Sequence, residues 1–185
     1  MKKRCEWAKI EPNTTYHDKE WGIPQHSDKK LFEFLILEGA QAGLSWSTIL
    51  NRRDGYRLAF SNFDAVKVSK YTPNHVKKLI QNKAIIRNKL KINSAINNAR
   101  QFIKIQKEFG SFDEYLWKFV NHKPIKNKFK KYSDLPSYTT ISKKLSQDLK
   151  KRGFNFVGPT ICYALMQAVG MVNDHTIDCF RYSEL

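Results

Sequence analysis

The sequence has no apolar run that could cross a membrane. No stretch approaches the roughly 18 consecutive apolar residues that mark a membrane helix. The basic start, Met1-Lys2-Lys3-Arg4-Cys5, is not followed by the apolar segment of a secretory signal. We therefore expect a cytoplasmic protein without a membrane partner.

Acidic residues are scarce beside basic ones. The chain has 17 Asp and Glu against 33 Lys and Arg, which gives a formal net charge of +16. Such a charge attracts polyanions, of which nucleic acid is the commonest. A Lys- and Asn-rich protein without a nucleic-acid partner would show the same excess, and charge alone does not separate DNA from RNA.

Strand patterns and paired cysteines are also missing. Apolar residues recur with the spacing of helix faces, and no convincing strand stands out. The three cysteines are an odd number, which argues against a disulfide framework. Since 185 residues are the size of one domain, we expect a single all-α domain over residues 1–185.

Helical spacing, caps and helix breakers predict where the helices lie. We expect them from Ser27 or Asp28 through Glu38, over 45–60, from Pro73, over 86–109, after Ser111, over 140–152 and over 159–171. The basic run 123–131 has little to bury, and we interpret it as a surface loop or a solvated linker.

A carboxylate lies on an apolar helix face. Leu31, Phe32, Leu35 and Ile36 form a core-facing stripe, on which Glu38 also falls. Lys29 and Glu33 are expected to point the other way. A buried carboxylate costs several kcal/mol unless partners satisfy it, so it is usually paired or functional. Pairing with a backbone group or a lysine is the structural alternative.

The residues after Glu38 favour the functional interpretation. Gly39 and Gly43 permit close approach of the backbone, Leu44 is a lone apolar residue at a turn, and Trp46 follows. A carboxylate, a stacking ring and an apolar wedge within a few residues predict a binding pocket.

The segment about 140–171 has the pattern of a helix-hairpin-helix. A basic helix end with Lys151 and Arg152 precedes a turn bounded by Gly153 and Gly158, and Pro159 starts the next helix. Glycines let such a turn approach a phosphate, towards which the N–H groups of a helix N-terminus then point. The alternative is an ordinary pair of helices joined by a glycine turn.

The two ends of the chain carry spacings that suit a metal ion. Cys5 and His17 lie near the start, and His175-x3-Cys179 puts two ligands about one helical turn apart near the end. Two thiolates and two neutral imidazoles would balance Zn²⁺ in a closed, structural site, one per chain. The alternative is two free buried cysteines and two surface histidines. Cys162 is expected to be a core residue.

Five blocks of sequence carry a family resemblance. They are Tyr16-His17-Asp18-x-Glu20-Trp21-Gly22, Leu37-Glu38-Gly39-x-Gln41-Ala42-Gly43-Leu44-Ser45-Trp46, Phe119-Val120-Asn121-His122, Lys150-Lys151-Arg152-Gly153-Phe154-x-Phe156-Val157-Gly158 and Val172-Asn173-Asp174-His175. With them the chain resembles the 3-methyladenine DNA glycosylase I (TAG) family of the helix-hairpin-helix superfamily. The resemblance spans nearly the whole chain.

The resemblance implies an activity, a partner and a metal. It implies a monofunctional hydrolase that cleaves the N-glycosidic bond of 3-methyladenine in alkylated double-stranded DNA and releases the free base. It also implies a structural zinc held by Cys5, His17, His175 and Cys179. We expect the protein to be a monomer. The rival interpretation is a non-catalytic, zinc-stapled DNA-binding module.

We expect the ionised carboxylate of Glu38 to be the catalytic group, and the same resemblance implies that it lies in a base pocket. Tyr16, Trp21 and Trp46 would line it, with Trp7 nearby. The family often has a second tyrosine a few residues before Tyr16, where this chain reads Asn13-Thr14-Thr15, so one wall is expected to be less aromatic.

Two further residues have expected roles around that pocket. Leu44, beside Gly43, is the expected wedge that fills the gap left by a flipped nucleotide. Asp174 is expected to support the neighbouring His175.

Overall fold

The computed structural model describes residues 2–185, so Met1 of the predicted domain lies outside the described residues. The fold is mostly helical, as predicted. The helices are α1 (Asn13–Lys19), α2 (Asp28–Gln41), α3 (Trp46–Leu50), α4 (Arg53–Ala59), α5 (Ala65–Ser69), α6 (Pro73–Gln81), α7 (Lys89–Phe109), α8 (Phe112–Trp117), α9 (Thr140–Lys151), α10 (Pro159–Ala168) and α11 (Phe180–Glu184). No helix in residues 2–185 has the length and apolarity needed to span a membrane.

Helix α2 is the centre of the molecule. Every residue from Leu31 to Ala40 is buried, and the helix packs against α3, α7, α8 and α10. A helix that is apolar all round is a core helix. Glu38 lies near its C-terminal end, so the surrounding packing fixes the position of the carboxyl group.

The helix predicted over 45–60 is divided into α3 and α4. Asn51 and Arg52 form a turn between them, in which the Arg52 N–H donates to the Ile49 carbonyl. Ser45 caps α3, because its hydroxyl accepts a hydrogen bond from the Thr48 N–H. Because of the break, α3, which begins at Trp46, packs against α2, and α4 is a separate helix.

The prediction of no strand was wrong. Ile125–Lys126 (β1) and Val172–Asn173 (β2) form a short parallel pair. The pairing continues along the basic run, since the Ile177 N–H donates to the Phe129 carbonyl at 2.9 Å. The run 123–131 is therefore on the surface, as predicted, but it is attached to the C-terminal segment and is not a free linker. Neither partner is visible to a local pattern, because the strands are two residues long and far apart in sequence.

The prediction that Glu33 faces away from the core was also wrong. Glu33 is 4% exposed. Its carboxylate accepts hydrogen bonds from Arg53 at 2.8 Å and Arg57 at 3.1 Å, and Arg53 also binds Glu20 bidentately. Desolvation is the largest single effect and raises the pKa of Glu33, but the charges and hydrogen bonds of Arg53 and Lys30 together outweigh it and lower that pKa. The burial of Glu33 therefore depends on partners in α4, which the periodicity of α2 does not reveal.

Candidate active site

A cavity of about 600 Å³ opens beside the C-terminal half of α2. Residues of α1, α2, α3 and α10 and of the loop 132–137 line it. The lining residues are Trp7, Asn13, Tyr16, Trp21, Glu38, Gln41, Trp46, Tyr132, Ser133, Leu135, Pro136, Ser137, Thr160, Tyr163, Ala164 and Gln167. The structure thus brings Glu38 together with all four rings that the sequence analysis assigned to the pocket.

Glu38 is a buried carboxyl group without a charged partner. Its side chain is 4% exposed, and within residues 2–185 it takes part in no salt bridge. Desolvation by burial raises the pKa of Glu38 to about 8. In the free protein at neutral pH this carboxyl group is therefore mostly protonated, in contrast to the ionised form expected from the sequence.

The aromatic rings pack in two pairs. Tyr16 and Trp46 have ring centroids 5.3 Å apart at an angle of 53°, and Trp7 meets Trp21 edge-on at 5.0 Å. Tyr16 is buried, and desolvation together with the nearby Glu38 carboxyl group raises its pKa well above the usual value. The phenol therefore stays neutral and can act as a hydrogen-bond donor or acceptor.

Three polar atoms in this wall are buried without a hydrogen-bond partner in residues 2–185. They are Asn13 Oδ1, the Tyr16 hydroxyl and Trp46 Nε1. Buried polar groups are rarely left unpaired in native proteins, and an unpaired one calls for an explanation, such as a ligand, an ion or a water that completes it. Together with Glu38 they form a set of donors and acceptors against flat rings, which suits a planar, polar, positively charged molecule.

Sequence reasoning missed the far side of the cavity. Tyr132, Leu135 and Pro136 come from a loop with no periodic pattern, and Tyr163 and Gln167 come from α10. The i,i+4 spacing of Tyr163 and Gln167 in an otherwise apolar helix was an available signal.

The side chain of Asp174 supports this wall of the cavity and not, as the sequence analysis expected, the His175 ring. Its carboxylate accepts hydrogen bonds from the Tyr163 hydroxyl, from Gln167 at 2.8 Å and from Asn127 at 2.7 Å. Asp174 therefore orients two residues of the cavity wall and attaches the basic run to them. The expected role at His175 belongs to Asn173, whose Oδ1 lies 3.0 Å from His175 Nδ1.

A group of three ligand atoms lies on the other side of the aromatic wall. Cys5, His17 and Cys179 are buried, and their ligand atoms all lie within 4.8 Å of one another, so the group could hold a metal ion. His17 Nε2 is 3.4 Å from Cys179 Sγ, and its Nδ1 is 2.8 Å from Asp18. The Asp18 contact favours the tautomer that leaves Nε2 free to bind a metal.

His175 lies next to this group but is not one of its three members. Its ring centroid is 4.9 Å from that of His17, and its Nε2 is buried without a hydrogen-bond partner in residues 2–185. Burial lowers the pKa of His175 to about 3, so the imidazole is neutral, as a metal ligand must be. Gly22 permits this approach, since a Cβ there would lie 2.7 Å from the His175 ring.

The predicted DNA-contacting turns are both on the surface. Gly43 has φ +77° with open space around it, and Leu44 beside it is 39% exposed. The turn 152–158 joins α9 to α10, with Gly153 at φ +86° and Gly158 as the N-cap of α10.

The two basic residues at the end of α9 differ in their contacts. Lys151 is exposed. Arg152 is already engaged, because its guanidinium binds Glu108 at 2.7 Å and Asp148 at 2.8 Å. An arginine held by two carboxylates is not free to bind a phosphate.

Comparison with known proteins assigns the chain to a family. The family model described as methyladenine glycosylase matches residues 7–182. The chain belongs to the methyladenine glycosylase family. It is 47% identical over 180 residues to DNA-3-methyladenine glycosylase 1 of Escherichia coli (strain K12), covering 97% of this chain and 96% of that protein.

Solved structures of this family share the fold. A crystal structure of 3-methyladenine DNA glycosylase I (TAG) aligns with a TM-score of 0.94 at 44% identity, over 96% of this chain and 98% of that chain. The Staphylococcus aureus TAG, solved to explain 3-methyladenine recognition, aligns with a TM-score of 0.92 at 35% identity, over 96% and 95% of the two chains.

The raised pKa of Glu38 predicts a pH-dependent stability. Between about pH 4.5 and pH 8 the folded protein keeps a proton that the unfolded chain has lost, so the free energy of unfolding falls as the pH rises. Glu38→Gln removes this loss. At pH 7.5 we expect Glu38→Gln to be more stable than the native protein by on the order of 3–4 kcal/mol, and at pH 5 by only about 1 kcal/mol.

Denaturant unfolding at both pH values measures this difference. The exposed Glu114 supplies the control, since Glu114→Gln should not change the pH dependence. A Glu38→Gln protein that is less stable than the native one at pH 7.5 would contradict the unpaired state of this carboxyl group.

Proposed function

We propose that this protein hydrolyses the N-glycosidic bond between 3-methyladenine and deoxyribose in alkylated duplex DNA. The observation that carries the proposal is the buried Glu38 carboxyl group, which faces a cavity walled by tryptophan and tyrosine rings and has no cation of the protein as its partner. Family membership over nearly the whole chain supports the same conclusion.

The chemistry of the lesion explains why such a cavity suffices. Methylation at N3 leaves the adenine of the nucleotide positively charged. When the bond from C1′ to the base breaks, the electron pair stays with the base, which leaves as a neutral molecule. A strong general acid is therefore dispensable, and the cavity has to recognise the cation and support the charge that moves to the sugar.

Rings and carboxyl group each contribute to recognition. Electron-rich rings such as Tyr16 and Trp46 attract a stacked cation by about 0.5–2 kcal/mol. The incoming positive charge also favours ionisation of Glu38, because an opposite charge within a few ångströms lowers the pKa of a buried carboxyl group. The resulting carboxylate accepts a hydrogen bond from the exocyclic amine of the base.

Bond cleavage leaves an oxocarbenium-like sugar. The Glu38 carboxylate and the DNA phosphates stabilise that charge, and a water adds to C1′ and loses a proton to solvent. Asp174 does not activate this water in our proposal, since Tyr163, Gln167 and Asn127 already occupy its carboxylate.

Strand cleavage is not part of the proposed activity. A lyase step needs an amine nucleophile at the sugar. No lysine of residues 2–185 lines the cavity, and no lysine follows Lys151 in the sequence. The proposed enzyme is therefore monofunctional and leaves an abasic site.

The surface turns bring the nucleotide out of the duplex. Extrusion of a base costs a few kcal/mol, which inserted side chains and backbone contacts offset. Leu44 enters the gap beside Gly43. The turn with Gly153 and Gly158 binds a phosphate through backbone N–H groups, with Lys151 nearby. This helix-hairpin-helix role assigns 140–171 to DNA binding within one glycosylase domain.

The cluster at the chain ends fits one structural zinc ion. Cys5, His17 and Cys179 supply three ligands, and the buried, unpartnered Nε2 of His175 supplies the fourth. The hydrogen bond between the two thiols lowers the pKa of Cys179 and raises that of Cys5, so Cys179 more readily supplies a thiolate for zinc. Zinc there would link the two ends of the chain, worth about 4–5 kcal/mol in loop-closure entropy. Its four protein ligands leave no open position for chemistry.

A non-catalytic binding module has no use for a buried Glu38 carboxyl group, whose burial costs free energy. The net charge and the surface turns fit both functions, but an unpaired carboxyl group buried among rings lowers the stability of the fold and serves no purpose without a cationic ligand.

A monomeric state and a cytoplasmic location stay predictions.

The activity is tested by release of free base from methylated duplex DNA. We expect the native protein and Glu114→Gln to release 3-methyladenine, and Glu38→Gln to release it roughly a hundredfold more slowly, since a single transition-state contact is worth that much. Chromatography of the released bases measures it. No release by the native protein would favour the binding module, and equal release by all three would remove Glu38 from the mechanism.

The metal is tested by elemental analysis. We expect about one zinc per native chain, and none in Cys179→Ser, with a free energy of unfolding lowered by roughly 4 kcal/mol. Cys162→Ser is the control, because Cys162 is buried in α10 outside the cluster and its variant should keep the zinc. Equal zinc contents in the two variants would contradict the assignment.

A further inference from the structure

Helix α7 binds the end of α2 through a lysine. Lys91 Nζ donates to the carbonyls of Ala40 at 2.8 Å and Ala42 at 2.7 Å. The last carbonyls of a helix lack partners and carry partial negative charge, which an ammonium group satisfies. The chain then turns through Gly43 to Leu44, whose N–H donates to Gln41 at 2.6 Å. Lys91 thus fixes the point from which the wedge turn, residues 42–45, leaves α2.

The same helix binds the middle of the hairpin turn, residues 152–158. Asn98 pairs with both backbone groups of Asn155, donating to its carbonyl at 2.9 Å and accepting from its N–H at 2.8 Å. Asn97 donates to the Gly153 carbonyl at 2.7 Å. A side-chain amide that binds the N–H and the carbonyl of one residue holds the two peptide units that flank that residue in one position and orientation.

Lys91 and Asn98 lie on one face of α7. They are seven residues apart, which is about two helical turns or roughly 10 Å along the axis. Between them, Ile92 and Ala95 are buried, so this part of the helix is fixed by its packing in the core. The hairpin turn also packs directly on α2, because a Cβ at Gly39 would lie 3.4 Å from Phe156.

We propose that Lys91 and Asn98 are positioning residues that hold the wedge turn and the hairpin turn at the separation that base extrusion requires. The proposal rests on the proposed function, because it takes these turns as the DNA-contacting ones. The hairpin turn binds a phosphate while Leu44 of the wedge turn enters the base stack. A change in the distance between the two turns therefore misplaces Leu44. Neither residue lines the cavity, and neither acts on the base itself.

This arrangement makes base extrusion separable from base recognition. Loss of Lys91 should leave Glu38 and the rings in place, because the buried packing of Leu31–Ala40 holds that part of α2. Only Gln41 of the cavity wall lies between the two bound carbonyls. A displacement of about 1 Å at a distant support can cost up to a hundredfold in rate when geometry is critical. Duplex substrates should suffer this cost, whereas substrates that need no extrusion should not.

The test compares Lys91→Met with Lys104→Met, which removes one exposed positive charge from the same helix outside both turns. Three quantities are measured: kcat/KM for base release from methylated duplex DNA, the same quantity for methylated single strands, and binding of free 3-methyladenine by tryptophan fluorescence. We expect Lys91→Met to lose about tenfold or more on the duplex, with single-strand release and free-base binding close to native. Lys104→Met should resemble the native protein in all three.

Two more variants separate positioning from general destabilisation. Lys91→Arg keeps a cation that can reach both carbonyls and should restore most duplex activity, and Asn98→Ala should repeat the duplex-selective loss from the other turn. Unchanged duplex release by Lys91→Met would overturn the proposal, as would an equal loss on single strands and free base. If the native protein releases no base from any substrate, the proposed function fails instead.

Discussion

The burial of an unpaired carboxyl group at Glu38 is the constraint on which the rest of the site depends. Glu38 lies in a helix whose residues from Leu31 to Ala40 are all buried, so the surrounding packing fixes the position of the group. Desolvation holds its pKa at about 8 and keeps it protonated at neutral pH. The protein therefore maintains a group that a cation would ionise. This is how a cavity without an acid catalyst can select a base that has become cationic by alkylation.

Two sets of contacts hold the aromatic wall against this carboxyl group. Trp7 packs on the His17 ring at 5.4 Å, and Trp21 packs on the His175 ring at 4.5 Å, so the wall rests on the proposed zinc cluster. On the other side, Glu20 next to Trp21 is bound to Arg53, which also binds Glu33. Thus the chain ends support both tryptophans and the core ion pairs support Trp21, although neither contacts the proposed reacting atoms.

The sequence predicted the parts of the site that lie within one periodic element or motif. Glu38 was found because it interrupts the stripe of Leu31 and Leu35, and the glycine turns because they follow clear helix ends. Glu33 was misplaced because its partner Arg53 lies in another helix, and a charged residue is buried only through such partners. The raised pKa of Glu38 was missed for a related reason, since desolvation depends on everything that packs around α2.

Features that depend on distant parts of the chain had no local signal. The loop 132–137 reaches the cavity because Asn127 binds Asp174 and β1 pairs with β2, and neither contact follows from spacing. The commitment of Arg152 to Glu108 joins α7 to the end of α9 in the same way. Pattern reasoning finds residue types that suit a chemistry, whereas long-range packing decides which of them are available for it.

The central claim is that Glu38 is neutral in the free cavity and becomes ionised when the cationic base enters. The direct measurement is the number of protons released when the protein binds duplex DNA carrying a hydrolysis-resistant, positively charged methylated adenine nucleotide. Calorimetry at pH 7 in buffers of different ionisation enthalpy gives that number. We expect close to one proton released by the native protein and none by Glu38→Gln. The same proton release from both proteins, or none from either, would contradict the claim.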